Sequence, residues 1–375
     1  MRDRREGWAW TALMAGAVML AAMGGSLAQN PPAPKAKVVP KHKGHNAAPT
    51  PLKKAMPNAA DPLADPAVNP FEMDTLSSDY HFKFKLHSFD DTTLAATYYP
   101  SRLKTRAPVL LLVHEKGRSS KDFEDPILDL KNQGLAEHAQ ARGYAVLTFD
   151  LRGQGLNRGL EHRAVLPQDW RMMINDLQAA YTFLLDRNNR GQLNLGKLGV
   201  LGVGEGANLA AAWAAAPGGA VSTEGRTSDL GALVLVSPLA DGAGLALAPL
   251  MNQLALRFPL LLMAGGGDPS SGDPVRASRP HVERPQLRGN LVKLYDSKLH
   301  GWKLLRYEPR AATEILSFFE RSIKFKVFEW EPRYNLNPVA VTDITTVRNA
   351  KVPAAAAAKE KEAVPAKEKE APEAK

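Results

Sequence analysis

An α/β fold built on a doubly wound, mainly parallel sheet follows from three observations on the sequence. Short continuous apolar runs recur along it: Val109–Val113, Ala145–Phe149, Leu198–Leu201, Leu233–Val236, Leu260–Met263 and Leu291–Leu294. Such runs mark strands covered on both faces, as in parallel sheets, because a half-solvated strand would alternate apolar with polar residues. Stretches with helical spacing stand between them, and strand–helix alternation is the pattern of a doubly wound sheet. The third observation is the stretch KLGVLGVGEGANLAAAWA, Lys197 to Ala214, in which an apolar strand passes through a glycine-dense turn directly into an alanine-rich helix.

In chain order, His81–Leu86 and Leu94–Tyr99 alternate and flank the turn Phe89-Asp90-Asp91, which predicts a hairpin leading into the sheet. Helices are predicted over Leu128–Arg142, Gln168–Arg187, Gly206–Ala215 and Pro309–Lys324. The second of these places Trp170, Ile174, Leu177, Tyr181 and Leu184 on one face. Between Val236 and Leu260 there is room for a strand end and one helix but no lid domain, which implies an open cleft. After Lys324 the segment FKVFEWEPRYNLNP reads as a small packed appendage.

The flanks differ in kind. Arg2, Arg4 and Arg5 precede an apolar run from Trp8 to Met23 and the small residues Ser26-Leu27-Ala28, the pattern of a cleaved export signal. The run is shorter than the roughly 20 residues of a spanning helix. A proline-, alanine- and lysine-rich stretch follows, with too few large apolar residues to offset the entropy of ordering. The domain reading is therefore 1–28 signal peptide, 29–78 disordered linker, 79–325 α/β domain, 326–349 C-terminal extension and 350–375 low-complexity Ala/Lys/Glu/Pro tail. Residues 1–70 and 351–375 are expected to add nothing to the stability of the fold.

Of 375 residues none is cysteine, which excludes disulfides, thiolate metal sites and a cysteine nucleophile. The formal charge of +9 lies largely in the flanks, and residues 29–70 alone hold six lysines against two aspartates. A basic linker of this kind fits weak electrostatic contact with an anionic envelope surface. No nucleic-acid motif accompanies it. His42 and His45 among lysines read as a polar tract, and no metal or cofactor is expected.

The chemistry centres on Gly202-Val203-Gly204-Glu205-Gly206, which has the frame G-x-S-x-G of a nucleophile elbow with Gly204 where the serine would stand. Around it, from roughly Tyr80 to Ser322, the chain resembles the α/β-hydrolase fold, nearest to its lidless serine-aminopeptidase-like and dienelactone-hydrolase-like branches. LLLVHEKGRSS (Leu110–Ser120) resembles the strand and His-Gly oxyanion loop, with Glu115 in place of the glycine. FDLRGQGLNRG (Phe149–Gly159) matches the D-x-R-G-x-G loop. Ala264-Gly265-Gly266-Gly267-Asp268-Pro269 and Leu299-His300-Gly301-Trp302 resemble the loops bearing the acid and the histidine, with Asp273 a rival for the acid.

The resemblance implies that Asp268 and His300 are remnant acid and base. It also implies that the amides of Glu205 and of Glu115 or Lys116 form an anion hole, with Gly202 and Gly206 as the small flanks of the turn. It further implies ancestral hydrolysis of esters or peptides. With no side chain at Gly204, the expectation is a protein that has lost serine-nucleophile catalysis and binds a small molecule, peptide or protein in the open cleft. The alternative is a working hydrolase using a relocated serine (Ser119, Ser120, Ser237, Ser270 or Ser271) or a water activated by a base such as Glu205. A remote third reading takes Gly202–Ala207 as the dinucleotide fingerprint G-x-G-x-x-A with Glu224 as its acidic partner.

Overall fold

The computed structural model describes residues 79–158, 167–216, 228–242, 244–333 and 339–349. The export signal, linker, low-complexity tail and Glu224 lie outside these. Among the described residues no helix is long and apolar enough to cross a membrane.

Among the described residues nine strands form one sheet. In chain order they are β1 (Tyr80–His87), β2 (Thr93–Tyr99), β3 (Val109–Val113), β4 (Ala145–Phe149), β5 (Leu198–Val203), β6 (Leu230–Val236), β9 (Leu260–Gly265), β10 (Leu291–Tyr295) and β11 (Val341–Arg348). A two-stranded ribbon, β7 (Asp241–Gly242) and β8 (Leu245–Ala246), stands between β6 and the helix that follows it. The order in the sheet is β10-β9-β6-β5-β3-β4-β2-β1-β11. Neighbours from β10 to β4 run parallel, and β2, β1 and β11 are added antiparallel. The chain leaves β3 toward β4 on one side and returns to β5 on the other, so the order reverses at β3. A crevice forms at such a switch point, beyond the carboxyl ends of the strands.

Helices cover both faces. On one face α2 (Pro167–Asn189), α3 (Glu205–Ala215), α4 (Ala248–Arg257) and α5 (Gly272–Val282) pack against Leu111, Val200, Leu233 and Leu262. On the other, α1 (Leu135–Ala141), α6 (Gly301–Tyr307) and α7 (Ala311–Phe319) meet Leu112, Leu201, Val234 and Met263. Val109–Val113 is buried at every position, as its unbroken apolar run requires. Truncating a buried leucine here to alanine would cost about 2–5 kcal/mol.

Four expectations are corrected. The helix predicted over Leu128–Arg142 is a 3-10 turn at Leu128–Leu130 and a short α1, because Lys131 and Asn132 take left-handed backbone (φ 55° and 62°) and break the spiral. The Pro309–Lys324 helix begins at Ala311 and ends in a wider π turn over Glu320–Lys324. A helix also forms at α5, where Pro274 and Pro280 argue against one; the first sits in its opening turn, where proline is tolerated.

The fourth correction concerns the extension, which is not an appendage. Residues 328–333 run along the end of α2: Asn194 donates to the Phe328 carbonyl, Asn188 to that of Glu331 and Asn189 to that of Arg333. After this strap the chain supplies β11, which pairs with β1 over most of its length.

Candidate functional site

The elbow is built as its glycines require. Gly204 follows β5 at φ 58°, ψ −129°, a conformation that residues with a β-carbon rarely adopt, and its N–H donates to the Val236 carbonyl at 2.9 Å. Gly202 and Gly206 allow α3 to start tight against the sheet. A β-carbon on Gly202 would stand 2.5 Å from the Gly206 carbonyl oxygen, and one on Gly206 would strike the His114 carbonyl.

Asp268 comes from the loop after β9 and His300 from the loop after β10, both at the same end of the sheet as the elbow. His300 Nδ1 lies 2.7 Å from Asp268 Oδ2. The same carboxylate oxygen accepts the Ser271 hydroxyl at 2.5 Å, and Oδ1 accepts the Ser270 N–H at 3.1 Å. Burial works to raise the Asp268 carboxyl, but these hydrogen bonds outweigh it and hold the group below its usual range. Asp273 is turned to solvent on α5 and paired with Arg276, so Asp268 is the carboxylate that orients the histidine.

The space between His300 and Gly204 is filled by Glu115. A β-carbon built on Gly204 would lie 2.6 Å from Glu115 Cγ, and Glu115 Oε1 stands 3.9 Å from His300 Nε2. The other carboxylate oxygen accepts the Trp302 N–H at the start of α6, at 2.7 Å. The loop carrying Glu115 is fixed from below by His114, which is fully buried. Its Nδ1–H donates to the Glu115 carbonyl at 2.8 Å and its Nε2 accepts the Leu151 N–H at 2.9 Å. That tautomer is neutral, as burial, which lowers the imidazole pKa, also demands. The D-x-R-G-x-G loop braces the other side: Asp150 accepts the Ser120 and Leu156 N–H groups, and Arg152 is held between Asp176 and Asp90.

The remaining predicted residues fall as follows. Glu205 opens α3 beside Glu115 and its charge adds to the cost of ionising it. Lys116 turns away to lie 5.4 Å from the Trp170 ring centroid. Of the serines weighed as nucleophiles, Ser237 is fully buried with its hydroxyl unpartnered and Ser271 is buried against Asp268; Ser270 is exposed, and Ser119 and Ser120 line a separate cleft. The dinucleotide reading meets a carboxylate lying against the turn at the start of α3, where a pyrophosphate would have to bind.

Sequence reasoning placed Glu115 in the loop for its backbone and missed its side chain. Glutamate where the resemblance puts glycine was the available signal.

The family model for serine aminopeptidase, S33, matches residues 109–287, a span that holds the elbow and Asp268 and stops short of His300. The protein has the α/β-hydrolase fold. Solved structures similar to it include an esterase from Pyrococcus furiosus, at 17% identity and TM-score 0.48, covering 66% of this chain and 94% of that one. Dienelactone hydrolase from Anabaena variabilis matches at 21% identity and TM-score 0.44, covering 64% and 95%. An acylaminoacyl peptidase from Pyrococcus horikoshii matches at 16% and 0.47, covering 65% and 41%. A search of curated proteins finds no match.

Within this α/β-hydrolase fold the state of Glu115 is testable. Burial, reinforced by Glu205, raises its carboxyl above the ordinary 4.5, and the Trp302 N–H and His300 pull it down without cancelling the shift. An acid whose folded pKa exceeds its unfolded one takes stability away as pH rises past the unfolded value. Glu115→Gln keeps an acceptor for Trp302 and is expected to raise the melting temperature at about pH 7.5 while changing it little at about pH 4. Thermal melts of both chains at the two pH values check this, and an equal change at both would show that the carboxylate charge carries no penalty.

Proposed function

We propose that this is an exported α/β-hydrolase-fold protein that no longer carries out serine-nucleophile catalysis and acts by binding a small molecule, a peptide or a protein. One observation carries the reading: the elbow has no side chain, and the space its serine would use is taken by the side chain of Glu115. A carboxylate there also repels the developing oxyanion that the site would otherwise stabilise. Export is supported by the N-terminal charge, apolar run and small-residue pattern, and the basic linker that follows suits an anionic envelope surface. N-terminal sequencing of the chain recovered from the envelope fraction tests that half of the proposal.

A second reading is favoured by the Asp268–His300 hydrogen bond, which keeps a general base oriented although the nucleophile is gone. In it, a water takes the place of the serine and the protein hydrolyses esters or peptides slowly. Fluorophosphonate labelling together with turnover of an activated ester separates the two. The first reading expects no labelling that depends on the folded state, and ester turnover equal to that of His300→Ala. Labelling of any serine in the folded protein alone would sink it, and turnover that needs His300 without labelling would establish the second.

A further inference from the structure

A second cleft of about 850 Å³ is lined by residues of β2, β1 and β11 and of the loops after β3 and β4. Its floor is the outward row of these antiparallel strands, including Lys83, Lys85 and Thr97. Its walls are the loop after β3, with Arg118, Ser119, Ser120 and Lys121, and the loop after β4, with Leu156, Asn157 and Arg158. The volume is that of a small-molecule site. The Glu115 loop, whose next residues form the wall, separates it from the elbow.

The charges of the cleft are unequally matched. Lys83 is paired with Glu124 at 3.1 Å, Lys85 with Asp343 at 2.6 Å and Arg118 with Asp122. Asp150, a buried lining residue, already accepts two backbone N–H groups. Among the described residues Lys121 and Arg158 are in no ion pair, and Arg158 reaches only the Gly117 carbonyl, at 3.5 Å. Both line the cleft. The hydroxyls of Ser119 and Ser120 are likewise without a hydrogen-bond partner among the described residues. The floor is also shaped: opposite Lys83–Lys85, β11 carries one extra residue, with Asp343 at φ 54°, and the Asp343 carboxylate pairs with Lys85.

We propose that this cleft binds a small molecule bearing a carboxylate or phosphate group, held between Lys121 and Arg158 with hydroxyls from Ser119 and Ser120. Two unpaired cations that line one cleft lose repulsion when an anion enters, and a guanidinium matches the planar or tetrahedral oxygens of either group. The site does not use the elbow, so it stands or falls apart from the loss of catalysis.

The full chain is titrated calorimetrically with D-glucose 6-phosphate, D-glucuronate and D-glucose, each to about 10 mM, a range that captures millimolar binding. One or both anionic sugars are expected to bind and glucose not to, and the stronger of the two tells phosphate from carboxylate. Lys121→Ala combined with Arg158→Ala, both exposed positions, is expected to weaken binding at least tenfold. Arg288→Ala, exposed on a distant loop, and His300→Ala should leave it unchanged. Binding of neither anion, equal binding of glucose, or affinity that survives the double substitution overturns the proposal. So does an equal loss in Arg288→Ala, which would reduce the effect to net charge.

Discussion

Gly204→Ser alone is expected to fold, to lose about 1–3 kcal/mol, and to stay unlabelled by a fluorophosphonate. The cost has two sources: a β-carbon at φ 58°, ψ −129°, and its approach to 2.6 Å of Glu115 Cγ, which must swing aside. Displacing that side chain does not clear the site, because its carboxylate remains tethered one residue from the buried His114 and competes for His300 Nε2. Gly204→Ser combined with Glu115→Gly removes the obstruction and restores the glycine that the resemblance places in the oxyanion loop. The double variant is expected to label and to hydrolyse an activated ester slowly, with both signals lost on adding His300→Ala. Labelling by the single variant at the same rate would show that Glu115 does not block the elbow. A folded double variant that neither labels nor cleaves would show that Asp268 and His300 no longer serve as acid and base.

The parts of this arrangement that could be read from the sequence are those fixed by local chemistry. The parallel strands declared themselves because burial on both faces leaves no room for polar residues, as in Val109–Val113. Strand β11, VTDITTVR, gave no such sign: it lies at the sheet edge with most positions half or fully exposed, so nothing forces an apolar run. The elbow was visible because Gly202 is required by a contact four residues on, with Gly206, and Gly204 by its own positive φ. Which aspartate orients His300 was not, since Asp268 and Asp273 both follow β9 and only the fold of that loop distinguishes them. Glu115 is the sharpest case. Its identity could be read, but the destination of its carboxylate depends on three loops, after β3, β5 and β10, whose meeting is a property of the sheet order and not of any local pattern.

The sheet's edge depends on one buried charge pair at the far end of the chain. Arg333, at the end of the strap, donates from Nη2 and Nε to Asp229 Oδ1 at 3.0 and 3.2 Å, and Tyr181 of α2 donates its hydroxyl to Oδ2 at 2.7 Å. Both charged residues are buried, Asp229 at 2% exposure and Arg333 at 6%, so solvent cannot take over from either partner. Removing one member of such a pair leaves the other desolvated and unmatched, at about 3–5 kcal/mol. Arg333→Ala is therefore expected to lower urea-unfolding stability by about that amount. Loosening the strap also releases the tether that delivers β11 to β1. Replacing both partners, as Asp229→Asn with Arg333→Met, should recover much of the loss, since the stranded charge is gone while an amide oxygen still accepts from Tyr181. A loss under about 1 kcal/mol in Arg333→Ala, the size expected of a solvent-exposed pair, would mean that the strap is not anchored there and that β11 holds its place through strand pairing alone.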